Sequence, residues 1–132
     1  MTDTKVDFFF VYGTLKEGGY FASAFDEIRV SSEKAILTGY NLFDLGAFPA
    51  IKAGTGSVRG EVHRYKDQKK ATELMDHIEG YNKNNEKDSL YLRRAVEVVT
   101  ESGEIVSAYT YVLNRDVPKH VKTVESGSWN TK

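Results

Sequence analysis

At 132 residues and a formal net charge of −1, the chain has room for one core and no electrostatic case for a nucleic-acid or anionic-membrane partner. Hydrophobic content of 40% and charged content of 28% are ordinary for a globular protein, and no apolar run approaches the roughly 20 residues that span a bilayer. The absence of Cys excludes a disulfide, a thiolate metal site and a Cys nucleophile. His63, His77 and His120 lack close metal-ligand spacing, and the polar N-terminus does not read as a signal peptide. These features predict one cytoplasmic domain over 1–132.

The first element is the run Phe8-Phe9-Phe10-Val11-Tyr12, aromatic and Val-rich without alternation. That pattern predicts a strand buried on both faces. Gly13 then allows a turn, and the strand end can gather backbone N–H groups able to hold an anion or an oxyanion. On this stretch alone, the plainer reading is a buried strand that simply ends in a turn. Tyr20 to Phe25 predicts a short helix, with Phe21, Ala24 and Phe25 on one face. Val30 to Asp44 reads as a strand, Leu45 to Ile51 as a loop or bulged edge around Pro49, and Gly54-Thr55-Gly56 as a turn. Val58, Gly60 and Val62 alternate with Arg59, Glu61 and His63, a half-buried strand that puts His63 on its polar, surface side.

The clearest helix runs from Asp67 to Glu79, with Asp67 as cap and Gly80 as terminator. Ala71, Leu74, Met75 and Ile78 fall at i, i+3, i+4 and i+7, centring the apolar stripe between Leu74 and Met75. Glu73 and Asp76 then lie roughly 150° away, facing water, and Glu79 about 90° away, at the edge of the buried face. Partial burial and the helix C-terminus both disfavour a negative charge, which raises proton affinity and suits a general acid/base. The polar segment 81–89 is a long connection, with a lid as the alternative. Leu92 to Thr100 and Glu104 to Leu113 form a hairpin around Glu101-Ser102-Gly103. Near the end, Trp129 is expected to pack back on the domain. Tyr91, Arg93 and Arg94 have the chemistry to hold a carboxylate, although Arg in a strand more commonly lies on the surface. Strands in series with one solid helix indicate an α+β fold bent into a small barrel.

Several blocks resemble the gamma-glutamylcyclotransferase-like family, including its γ-glutamylamine-cyclotransferase branch. The opening Phe10-Val11-Tyr12-Gly13-Thr14-Leu15-Lys16 with Gly18 resembles its signature. Tyr40 to Ile51 is similar to its "Gly, small residue, aromatic, Pro-Ala" stretch, and Val58-Arg59-Gly60-Glu61-Val62 to its "Val-x-Gly-Glu-Val" strand. Leu74 to Gly80 followed by Tyr91-Leu92-Arg93 resembles "Leu-Asp-x-x-Glu-Gly … Tyr-x-Arg", and Ser126-Gly127-Ser128-Trp129 its tail. The resemblance implies a small mixed β-barrel with a few flanking helices. It also implies an intramolecular reaction, in which the α-amine of a γ-glutamyl group attacks its own γ-carbonyl and releases 5-oxoproline and an amine or peptide. Glu79 falls on the family's acid/base; Tyr12, Gly13, Thr14, Leu15 and Tyr91 fall on substrate-binding positions; no metal or organic cofactor is implied. Two departures stand out: Gly18-Gly19-Tyr20-Phe21 occurs where the family often has an Asn, and the segment between Glu79 and Tyr91 is longer and more polar than usual. A non-catalytic binding member of the fold and an amide hydrolase yielding free glutamate remain the alternatives.

Overall fold

The computed structural model describes residues 6–13, 25, 28–46 and 48–128. Among these residues, five strands and one α-helix follow in the order β1 (Phe8–Val11), β2 (Arg29–Asp44), β3 (Pro49–Tyr65), α1 (Gln68–Ile78), β4 (Tyr91–Thr100) and β5 (Ile105–Leu113). The strands close into a barrel in the order β1-β3-β2-β4-β5. Among the described strands only β1 and β5 run parallel, with Phe8 opposite Ala108 and Phe9 opposite Tyr109. On its other side β1 is antiparallel to β3, Phe10 facing Val62. The strand is therefore central, and Phe9, Phe10 and Val11 are all buried, as their apolar run predicts.

Alternation along β1 separates two apolar clusters. Phe10 joins Ala35, Leu37, Val58, Val62 and Ala108 inside the barrel. Phe9 and Val11 point outward and join Tyr65, Tyr91 and Tyr111 under Ala71 and Met75 of α1. Phe25, from the segment expected to be a short helix, packs its ring 5.3 Å from Tyr65. The rest of that segment, together with Thr14, Leu15 and Trp129, lies outside the described residues.

Four expectations are corrected. Pro49, Ala50 and Ile51 are not a loop but the start of β3, paired with Asp44, Phe43 and Leu42; proline is tolerated as the first residue of a strand. Gly54-Thr55-Gly56 does not end a strand. It is an irregularity within β3 where the register jumps from Thr38–Ser57 to Tyr40–Ala53, and the Asn41 side chain fills the gap by accepting from the Gly56 N–H at 2.8 Å. His63 is on the outward face, as its alternation requires, but that face is covered, and the ring is fully buried. Its Nε2 lies 2.8 Å from Glu61 and its Nδ1 2.8 Å from the Tyr65 hydroxyl. Asp76 does not face water, for reasons given below.

Beyond β5 the chain returns across the barrel. Thr123 bridges Phe43, the Val124 N–H donates to Leu42 at 2.7 Å, and Gly127 accepts from the Arg59 N–H at 2.6 Å. The 81–89 connection is held by its own polar side chains. Ser89, buried, donates to Asn85 and accepts from the Asn82 N–H, while Asn114 reaches across to the carbonyls of Glu86 and Ser89. A single 3-10 turn over Glu86–Asp88 sits in its middle.

Candidate active site

A pocket of about 250 Å³ opens where β1 ends against the C-terminal turn of α1. Tyr12, Gly13, Glu79 and Tyr91, four of the six site residues expected from sequence, all line it. Thr14 and Leu15 lie outside the described residues.

Helix α1 forms because Asp67 caps it, its carboxylate accepting from the Lys70 N–H. It stops in a Schellman motif: Gly80 takes φ +66°, Gly80 N–H donates to His77, and Tyr81 N–H donates to Asp76 at 2.8 Å. This fixes Glu79 as the last residue of the helical path, directed into the pocket. The buried face is rotated from the expected one. Leu74 is 37% exposed whereas Met75 is fully buried, so the stripe centres on Met75, and Glu79, four residues on, lies about 40° from it. The acid is thus nearer the middle of the buried face than its edge.

Among the described residues the Glu79 carboxyl has no hydrogen-bond partner. Burial without such a partner disfavours the carboxylate and pushes its pKa up to about 7. The three tyrosines around it behave differently. Tyr12 donates to the Tyr111 carbonyl at 2.6 Å and Tyr91 to the Pro49 carbonyl at 2.8 Å. Burial, reinforced by the nearby Glu79 charge, pushes both phenols up. They remain neutral donors committed to the backbone and act as walls.

Tyr111 was not singled out by sequence reasoning. It also lines the pocket, and its hydroxyl donates to Asp76 at 2.6 Å. Asp76 in turn pairs with Arg93 at 2.5 Å, and the Arg93 guanidinium lies 5.3 Å from the Tyr81 ring and 5.0 Å from the Tyr109 ring. Arg93 therefore binds the protein's own carboxylate and braces the helix. Arg94 pairs with Glu86 on the surface. The signal for Tyr111 was present in the Tyr109/Tyr111 alternation of β5, but a partner on the helix cannot be read from one strand. Phe10, Val11, Phe48, Pro49, Ile78 and Leu90 complete the lining on the apolar side.

The family model for gamma-glutamyl cyclotransferase, AIG2-like proteins matches residues 9–131. A curated relative, gamma-L-glutamyl-butirosin B gamma-glutamyl cyclotransferase from Niallia circulans, is 33% identical over 108 residues, 81% of this chain and 67% of that protein. Among solved structures, an AIG2-like protein from mouse superposes with a TM-score of 0.71 at 21% identity, covering 96% of this chain and 90% of that one. The ytfP protein of Escherichia coli gives 0.63 at 29% identity, covering 92% and 95%. The chain belongs to the gamma-glutamyl cyclotransferase, AIG2-like family, and its α+β barrel is that family's fold. Family and relative together support an enzyme of the γ-glutamyl cyclotransferase kind, acting on a small γ-glutamyl substrate. No helix among the described residues is long and apolar enough to cross a membrane.

Proposed function

We propose that this chain is a γ-glutamyl cyclotransferase that converts a γ-glutamyl amine or peptide into 5-oxoproline and the free amine, with Glu79 as the general acid/base. The observation that carries the reading is the Glu79 carboxyl, without a hydrogen-bond partner among the described residues and raised to about 7, in the same pocket as the end of β1. In the carboxylate form Glu79 takes a proton from the substrate α-ammonium. The freed amine attacks the γ-carbonyl and closes a five-membered ring. The bond from that carbon to the departing nitrogen then breaks as the protonated Glu79 returns its proton. The α-nitrogen gives up its second proton to solvent as the ring closes and the released amine takes one up from solvent, so the reaction balances without consuming water. Nucleophile and carbonyl share one molecule, and a pocket that keeps the chain curled contributes by proximity. The glutamyl end is assigned to Tyr12, Gly13, Thr14 and Leu15 on the strength of the family resemblance, and Tyr91 to the wall beside it. Nothing in this scheme calls on a metal or organic cofactor.

The test is product analysis with purified protein on a panel of γ-glutamyl-ε-lysine, γ-glutamyl amino acids and glutathione. Formation of 5-oxoproline is expected, falling roughly 10³-fold in Glu79→Gln. Free glutamate in its place would mean attack by water and an amide hydrolase. A folded protein that turns over nothing on the panel would favour a binding role.

A further inference from the structure

The outer face of the barrel carries an aliphatic row at the end far from the pocket. Strand register sets it out: Arg59 stands opposite Ile36, Ile36 opposite Val99, and Val99 opposite Ile105. Residues opposite one another share a face, and the neighbouring Val58, Leu37, Val98 and Val106 turn into the barrel core. Ile36, Val99 and Ile105 are left outward, 37%, 46% and 67% exposed, and Ile105 is the most exposed large hydrophobic side chain among the described residues. Strand preference alone does not require them, because Thr is equally at home in a strand and keeps a hydroxyl in water. A cavity of about 400 Å³ lies over β2, β3 and the last residues of β4, with Lys34, Ile36, Arg59, Gly60, Val99 and Glu101 in its lining. The active-site pocket is remote: along β4 from Tyr91 to Val99 is roughly 25 Å at the rise of a strand.

We propose that a second copy of this chain docks on this face, about a two-fold axis running along the strands between β2 and β4, with Ile105 of each copy seated in the cavity of the other. Such an axis reverses the lateral order β3-β2-β4-β5 and keeps each level of the sheet. β5 of one copy then lies over β3 of the other, which carries the protruding Ile105 onto the opening beside Arg59 and Gly60. Ile36 meets Val99 of the other copy, and Val99 meets Ile36. Lys34 is level with Glu101, since Ala35 pairs with Thr100, so the same axis sets Lys34 of each copy over Glu101 of the other. Knob meets cavity and cation meets anion twice, as a self-complementary contact demands. Sheets stacked in this way lie about 10 Å apart, a gap that aliphatic side chains fill. The net charge of −1 adds almost no repulsion between copies. An interface centred on Ile36, Val99 and Ile105 is small, below about 1,200 Å² in total, and belongs with contacts whose dissociation constants are on the order of 10–100 µM.

Sedimentation velocity over about 1–500 µM protein, at about 0.15 M salt where long-range charge effects are screened, measures the association. The wild type is expected to pass from monomer to dimer within that range. Ile105→Ser should weaken the dimer roughly a hundredfold, because the two-fold axis counts each lost side chain twice. Its melting temperature should stay within about 2 °C of wild type, since the side chain is exposed in the monomer. Val99→Ser gives a second route should Ile105→Ser fold poorly. The orientation is tested by charge reversal and mixing. Lys34→Glu alone and Glu101→Lys alone should each stay monomeric, facing like charges across the axis, whereas an equimolar mixture of the two should form a heterodimer. Adding Ile105→Ser to both partners should abolish that heterodimer. A wild type that is monomeric throughout leaves the face to a partner of another kind and overturns the proposal. A dimer indifferent to Ile105→Ser and Val99→Ser places the contact elsewhere and does the same. Failure of the mixed variants to associate, with the wild type dimeric, overturns the two-fold arrangement.

Discussion

Glu79 shows how one residue's environment raises the proton affinity of an ordinary carboxyl toward neutral pH. On the proposed mechanism its ionised form takes the proton, so kcat/KM on any cyclised substrate should fall below about pH 7, approaching tenfold per unit. A pH–rate profile locates that limb directly. The same shift bears on stability, with an opposite sign to the usual carboxylate. The folded protein holds this proton more tightly than the unfolded chain, whose value is near 4.5. Its contribution is fully present below about 4.5 and is lost as pH rises through about 7. Glu79→Gln should therefore be more stable than wild type at pH 8, by on the order of 2 kcal/mol, and equal to it at pH 4. Thermal melts of both proteins at the two pH values check this, and a variant equal or less stable at pH 8 would contradict the burial argument. That Glu79 is partly buried was legible from helical periodicity. Its nearness to the middle of the face was not, because Leu74 was counted in the stripe and its exposure depends on what α1 packs against.

At the scale of elements, α1 is held over the pocket by a polar brace as much as by Ala71 and Met75. Asp76, one turn before Glu79, ties the helix to β5 through Tyr111 and to β4 through Arg93. Truncating one partner of a part-buried pair leaves the others unsatisfied. Asp76→Ala should lower stability by about 2 kcal/mol and reduce kcat more than it raises KM, because the acid moves while the pocket walls remain. Denaturant melts and steady-state kinetics test the two halves, and unchanged kcat would restrict Asp76 to a purely structural role. The wheel placed Asp76 in water because a one-helix projection cannot know that an Arg and a Tyr approach from the strands. Pro49 was misread for a related reason. Proline argues against a central strand position, but as the first residue of β3 it sacrifices no ladder bond. The helix, the β4–β5 hairpin and β1 were legible, since each carries its own period, cap or apolar run.

For the whole molecule, closure of the barrel ties its ends together. β1 lies between β3 and β5, and the buried Thr110 hydroxyl donates to the Phe10 carbonyl at 3.0 Å. The fit on the β3 side of β1 is tight: a Cβ on Gly60 would lie 2.3 Å from the Val11 carbonyl oxygen and 2.8 Å from the Phe10 ring. Gly60→Ala is expected to cost about 3 kcal/mol or more and to displace the strand end that carries Tyr12 and Gly13. A melting temperature within about 2 °C of wild type would show that this side has room. His63 belongs to this scale too. Alternation identified its face correctly, but which faces are covered is decided by segments far away in sequence.

The parallel pairing of Phe8 with Ala108 also sets an order of events during synthesis. β1 leaves the ribosome first, yet its last partner is translated about a hundred residues later. At about 5–20 residues per second that interval is on the order of 5–20 seconds. Pairing with β3 comes sooner but leaves the other edge open. Phe8-Phe9-Phe10-Val11, an uncharged run rich in β-formers, thus waits with one unpaired edge, the condition under which nascent chains recruit holding chaperones or pair with one another. The strand that leads into the pocket is the segment for which cellular handling of the emerging polypeptide matters most.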